Sequence, residues 1–154
     1  MASRARQVSD EMIVLLGDEI VAFLDREHRP RKNAKVCIVG FAFKGDPVTS
    51  DVRGSTAIDL ARYLKKRVKR MVSFDPATSP SDVRPHGVTP VATAAAAIAG
   101  ADVIIIMNNN PAFAALPMRK LLSRARRPAL LIDAWGLYQA EEIAKIGGVE
   151  YATL

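Results

Sequence analysis

Val103-Ile104-Ile105-Ile106-Met107 is an unbroken apolar run, preceded by Ala101-Asp102 and followed by Asn108-Asn109-Asn110. Five residues are too few for an ordinary helix, and a strand that is apolar at every position has both of its faces covered. Strands of that kind belong to parallel sheets with helices on either side. The run therefore predicts a central strand of an α/β domain.

Working outward, the same character returns at residues 35–41 and 129–132, at Met71-Val72-Ser73-Phe74 before Asp75-Pro76, and more weakly near 88–91 and 149–151. Helical patterns fall between these strands. Ser55 caps a helix with Ala57, Leu60, Ala61, Leu64 and Val68 on one face. Further helices are expected at 93–99, around 113–123 and at 140–146, with Phe43–Gly54 and Ala77–Arg84 as loops. Upstream, residues 5–27 read as an amphipathic helix because Val8, Met12, Leu16, Ile20 and Leu24 recur every four positions, with Ile13, Leu15 and Val21 widening the stripe. Arg29-Pro30-Arg31-Lys32-Asn33 then breaks the pattern as a linker. Alternating strands and helices imply right-handed crossovers. The expectation is an α/β, Rossmann-like, doubly wound parallel sheet of five to six strands, preceded by an N-terminal amphipathic helix. Residues 1–33 form the helix and linker, and residues 34–154 form the domain proper.

With 154 residues and 49% hydrophobic content, the chain suits one domain with a real core. Its single cysteine, Cys37, lies inside the run Lys35-Val36-Cys37-Ile38-Val39 and reads as a core thiol. No internal disulfide is available, which fits a reducing, cytoplasmic setting. The N-terminus leads into charged sequence, and no stretch reaches the ~18 apolar residues of a membrane span. A formal net charge of +6 favours anionic partners. The cations cluster at 29–32, 65–70 and 124–127, where helices or strands end, and lack the interleaved aromatics of a single-strand binder. Nucleic acid is accordingly not expected as a partner.

A doubly wound sheet holds its ligand beyond the carboxyl ends of its strands. That places the candidate site in the loops 40–55, 75–79, 108–111 and 133–138. The first loop is neither Gly-x-Gly-x-x-Gly nor a P-loop. Phosphate would be met there by a side-chain cation, Lys44 or Arg53, with backbone N–H groups near Ser55 assisting. The alternative is that Arg53 simply pairs with Asp46 or Asp51. Asn108-Asn109-Asn110 suits either ligand contact or a turn, and Asp75 either a ribose hydroxyl or a turn start. His28 and His86 have no second ligand at metal spacing and read as surface histidines.

The stretch Val39 to Ala57, with Gly-Phe-Ala-Phe-Lys and then Ser-Asp-Val-Arg-Gly-Ser, resembles the signature that opens the C-terminal, nucleotide-binding domain of UDP-glucose/GDP-mannose dehydrogenases. Phe74-Asp75-Pro76, Ala101-Asp102-Val103-Ile104-Ile105, Ile132-Asp133-Ala134-Trp135 and Gly148-Val149-Glu150-Tyr151 resemble later segments of that domain, and the first helix resembles the tail of the family's central helix. In such enzymes the primary alcohol of a nucleotide-sugar is oxidised to a carboxylate with two NAD and a cysteine thiohemiacetal. The Gly-rich NAD segment and the catalytic-cysteine segment of the family have no counterpart here, and Cys37 does not match that cysteine. The resemblance implies a UDP-sugar-binding domain that binds no cofactor and is inactive by itself. Residue by residue, it implies Phe43 and Lys44 as nucleotide-sugar contacts, Lys44 near the diphosphate, and Arg53 as the arginine that approaches NAD across a domain interface. The Lys44-to-Arg53 span is two residues longer than the common family form. Many relatives carry an arginine two residues after the late aspartate; Trp135 stands there instead and offers a ring for stacking. The first helix implies a homodimer, and a ligand-free dimerisation module is the alternative reading.

Overall fold

The computed structural model describes residues 2–154. Six parallel strands form one sheet: β1 (Lys35–Val39), β2 (Arg70–Phe74), β3 (Thr89–Pro90), β4 (Val103–Ile106), β5 (Ala129–Asp133) and β6 (Val149–Thr153). Their order across the sheet is β3-β2-β1-β4-β5-β6. β1 and β4 sit side by side at its middle, Val36 opposite Val103 and Val39 opposite Ile106. Both are buried at every position, as the uninterrupted apolar runs require.

The helices are α1 (Ala2–Arg26), α2 (Thr56–Leu64), α3 (Pro80–Val83), α4 (Ala94–Ile98), α5 (Pro111–Ala114), α6 (Met118–Leu122) and α7 (Ala140–Ala144). Side chains alternate through the sheet and build two cores. One joins Val36, Ile38, Met71, Val103, Ile105, Leu130 and Ile132 to α1 and α2. The other joins Cys37, Val39, Val72, Ile104, Ile106, Ala129 and Leu131 to α4, α5, α6 and α7. Handedness explains α1's position. Crossovers from β1 through β3 put α2 and α3 on the first face, whereas those from β3 through β6 put their helices on the second. The β4–β6 half of the first face then needs a cover from outside the alternation, and α1 supplies it with Ile13, Leu16, Ile20, Phe23 and Leu24, all buried. Each such side chain contributes up to about 1.5–3 kcal/mol.

Four local expectations are corrected. The segment 77–84 is not all loop, since Pro80–Val83 is helical and Arg84–His86 continues as a 3-10 turn. The helix expected over 113–123 is two helices, because Pro117 interrupts it. The first strand stops at Val39, before Gly40 turns to φ +88°. On α1, Val8 and Leu15 are exposed rather than part of the covered stripe, and Phe23 is buried instead.

Beneath the opposite, N-terminal edge lies a buried ion pair between Arg29 and Asp102. Asp102 also accepts from the Lys35 backbone N–H at 2.9 Å, and Arg29 donates to the carbonyls of Arg127 (2.8 Å) and Pro128 (3.3 Å). The segment after α1 is thereby fastened to the starts of β1, β4 and β5. Replacing Arg29 with Met leaves the Asp102 charge buried with less compensation. The expected cost is about 3–5 kcal/mol, measured as a lower urea midpoint at unchanged slope.

Candidate functional site at the carboxyl edge of the sheet

Asp75, immediately after β2, organises the edge. Its Oδ2 accepts from the backbone N–H groups of Phe41 (2.8 Å) and Ala42 (2.9 Å) and lies 3.5 Å from Asn108 Nδ2, while Oδ1 accepts from Ala77 N–H at 2.9 Å. The carboxylate ties the tips of β1, β2 and β4 together and is spoken for, which favours the turn reading over the ribose one. Gly40 makes the crossing possible: a Cβ there would stand 2.7 Å from Asn108 Cγ.

The three asparagines are also internal fasteners. Asn108 Nδ2 donates to Ala42 O at 3.3 Å, Asn109 Oδ1 accepts from Gly45 N–H at 3.3 Å, and Asn110 Oδ1 caps α5 through Ala112 N–H at 3.0 Å. Gly45 lies so close to the Asn109–Asn110 backbone that a Cβ would fall 1.9 Å from Asn110 N. One side of the first loop is thus pinned to the tip of β4, and its other side faces solvent.

On that solvent side are the residues singled out from sequence. Phe43 is 54% exposed, and its backbone N–H donates to Asp51 O at 2.7 Å. Lys44 is exposed and makes no hydrogen bond or ion pair among the described residues. Arg53 extends into solvent and folds back on Asp51 through Nε (3.0 Å) and Nη2 (2.8 Å), the surface pairing weighed as its alternative. Near Ser55, two of the helix-start N–H groups expected to help are engaged internally. Ser55 is buried, its hydroxyl takes Ala57 N–H at 3.1 Å, and its carbonyl takes Ile58 N–H at 3.1 Å.

Trp135 enters from the loop after β5. It is 51% exposed, and its indole N–H donates to Met107 O at 3.1 Å, which fixes the ring above the tip of β4. Asp133 anchors this loop: its carboxylate accepts from Tyr138 N–H (3.0 Å) and from the Tyr151 hydroxyl (2.8 Å). Tyr138 in turn donates to Phe113 O at 2.6 Å. Burial, reinforced by the Asp133 charge, pushes the Tyr138 phenol well above its ordinary range, and burial with the Asp133 hydrogen bond does the same to Tyr151. Both are neutral donors at neutral pH. Sequence reasoning missed Tyr138 and Tyr151; the acid at a strand tip was the available signal.

The structure separates Cys37 from this edge. It is fully buried in β1, and desolvation pushes its thiol up to about 12, so it is protonated and shielded. No cluster of three or more metal-ligating side chains occurs among the described residues, and His86 lies against the Phe41 ring. No helix among them is long and apolar enough to cross a membrane.

The profile of the UDP-glucose/GDP-mannose dehydrogenase family, UDP binding domain, matches residues 37–140. The chain is similar to the UDP-glucose 6-dehydrogenase of Rhizobium meliloti (strain 1021), with 28% identity over 148 residues, 96% of this chain and 32% of that protein. It is also similar to UDP-glucose 6-dehydrogenase 2 of Arabidopsis thaliana, with 26% identity over 143 residues, 78% of this chain and 29% of that protein. Among solved structures, a UDP-D-ManNAc dehydrogenase from Pyrococcus horikoshii aligns with a TM-score of 0.78 at 19% identity, over 97% of this chain and 32% of that one. An NDP-N-acetyl-D-galactosaminuronic acid dehydrogenase from Methanosarcina mazei Go1 aligns with a TM-score of 0.78 at 22% identity, over 98% and 30%. At these identities the structural likeness carries the fold. The chain spans about a third of the length of each of these relatives.

The Arg53–Asp51 pair has a pH signature. Hydrogen bonds from the Arg53 side chain and backbone hold the Asp51 carboxyl down to about 2, so the pair is complete at neutral pH and is lost only as the pH falls through that value. Carbon-detected NMR should place the Asp51 midpoint there in the parent and raise it toward the usual carboxylate range in Arg53→Ala, short of a full return because the backbone N–H of residue 53 still donates to Asp51.

Proposed function

This chain belongs to the UDP-glucose/GDP-mannose dehydrogenase family through its UDP binding domain, and from that membership we propose that it holds the nucleotide end of a UDP-sugar at the carboxyl edge of its sheet. The observation that carries the reading is Lys44. It is an exposed cation without an internal partner among the described residues, on a loop pinned to the β4 tip through Gly45, and Phe43 beside it is exposed. Lys44 meets the diphosphate, Phe43 and Trp135 offer ring faces to the base or sugar, and Arg53 turns from Asp51 toward an NAD held by another part of the dehydrogenase. The residues of this chain do not themselves suit NAD. The β1 tip carries no Gly-x-Gly-x-x-Gly segment, and the N–H groups of Phe41 and Ala42 are taken by Asp75. Oxidation of the sugar belongs to groups outside these residues, because Cys37 is buried and protonated.

Trp135 is the only tryptophan in the sequence, so its fluorescence reports on the proposed site. UDP and UDP-glucose should change it saturably, and Lys44→Ala should weaken binding about tenfold, the loss of one charge-assisted contact. No optical or calorimetric response at millimolar UDP, or equal binding by Lys44→Ala, would overturn the reading.

One observation favours a second, compatible reading. Val8 and Leu15, two helical turns apart, are 65% and 69% exposed on α1 and form a short apolar face suited to a second copy of the chain. Light scattering should show a dimer that Leu15→Lys converts to monomer; a parent that stays monomeric on concentration removes this reading.

A further inference from the structure

The three carboxamides at the tip of β4 do not use their two ends equally. Asn108 spends both: Nδ2 donates to Ala42 O at 3.3 Å, and Oδ1 accepts from Asn110 N–H at 3.1 Å. Asn109 spends one. Its Oδ1 accepts from Gly45 N–H at 3.3 Å, while its Nδ2 has no hydrogen-bond partner among the described residues. Asn110 is likewise held through Oδ1, by Ala112 N–H at 3.0 Å, with Nδ2 unpaired, but it is only 5% exposed and caps α5.

The orientation of the Asn109 amide follows from its contact. A backbone N–H bonds to an acceptor, so Gly45 takes the oxygen and leaves the NH2 group as the free end. Asn109 is half-buried, yet this nitrogen is not sealed from solvent: among the described residues, Ser73 Oγ is the one enclosed side-chain polar atom without a partner. Its place beside Lys44 is also fixed. Gly45, the next residue, packs so tightly on the Asn109–Asn110 backbone that a Cβ would lie 2.6 Å from Asn109 C.

The chemistry of the free end limits what it can take. With its oxygen engaged, the amide offers donors and no acceptor, so it suits an oxygen that only accepts better than a sugar hydroxyl, which also donates. Next to an exposed ammonium, such oxygens belong to an anion. Being neutral, Asn109 adds a donor there without repelling Lys44.

The geometry points to Asn109 as a second determinant of ligand binding, its Nδ2 donating to a diphosphate oxygen beside Lys44. This rests on the UDP-sugar reading above and extends it to a residue on another strand.

The test compares Asn109→Ala with Asn109→Asp in the full chain, by Trp135 fluorescence and calorimetry with UDP-glucose, and with inorganic pyrophosphate as competitor. In Asn109→Asp one carboxylate oxygen still accepts from Gly45, so the loop stays pinned, while the other puts an anion where the NH2 group stood. Asn109→Ala should weaken UDP-glucose about five- to tenfold and Asn109→Asp more than tenfold at neutral pH. Only the Asn109→Asp loss should shrink relative to the parent as the pH falls toward about 4.5, where the introduced carboxyl begins to protonate; a merely structural role would not give that charge-specific trend. Pyrophosphate, which carries neither base nor sugar, should compete more than tenfold less well in Asn109→Asp than in the parent. Parent-like binding by both variants, a loss in Asn109→Asp that does not respond to pH, or unchanged competition by pyrophosphate would overturn this inference and leave the UDP-sugar reading standing. A parent that binds neither UDP-glucose nor pyrophosphate at millimolar concentration would overturn both.

Discussion

The carboxylate of Asp75 constrains everything at the working edge of this protein. In many dinucleotide-binding folds the N–H groups just beyond the first strand point at a pyrophosphate, helped by the following helix start. Here the corresponding N–H groups, those of Phe41 and Ala42, point at Asp75, and Ser55 closes the start of α2. An internal anion thus occupies the place where an external one would be cradled. Backbone recognition of phosphate is blocked at this point by both geometry and charge. On the proposed reading, recognition falls to a side chain farther along the loop, Lys44, which is exposed beyond the carboxylate.

The same device recurs twice more, each time at a strand end. Asp102 gathers Arg29 and the Lys35 N–H beneath β4, and Asp133 gathers the Tyr138 N–H and Tyr151 hydroxyl beyond β5. A parallel sheet leaves strand termini without ladder partners, and burial makes every unsatisfied donor there costly. A carboxylate can accept several N–H groups from different segments at once. Each acid therefore fixes the relative positions of loops that are distant in sequence, and the Asp133 cluster brings Trp135 over the tip of β4.

This explains which features were legible in the sequence. β4, β1 and the Ser55 cap depend on local periodicity and a single capping residue, and they were read correctly apart from their ends. The α1 stripe was half legible: a period of four drifts about 40° per step from the 3.6-residue turn, so Val8 leaves the covered face while Phe23 joins it. Pro117 and Ser79-Pro80 were visible punctuation whose consequences were underweighted. By contrast, beside near neighbours such as Ala77 and Tyr138, the three acids hold distant partners: Phe41 is 34 residues from Asp75, Arg29 is 73 from Asp102 and Tyr151 is 18 from Asp133. No spacing rule connects them; only the folded topology does. Lys44 was one of two cations nominated by the strand-end rule, and resemblance added its place near the diphosphate together with Phe43, since an exposed loop residue carries no periodic signal.

Magnitudes determine how such a site must work. One ammonium on a diphosphate is worth about 1.5–3 kcal/mol, while micromolar affinity requires about 8 kcal/mol. Stacking on an aromatic face adds about 1–3 kcal/mol per base, so Lys44 with Phe43 and Trp135 accounts for part of the total and leaves a deficit. Phe43, Val48 and Trp135 are each at least half exposed. On the proposed reading, the balance calls for further contacts that dehydrate the lysine–phosphate pair and bury those rings. In this respect the proposed site is a sheet edge held in place by two of the carboxylates, Asp75 and Asp133, and open on its solvent side.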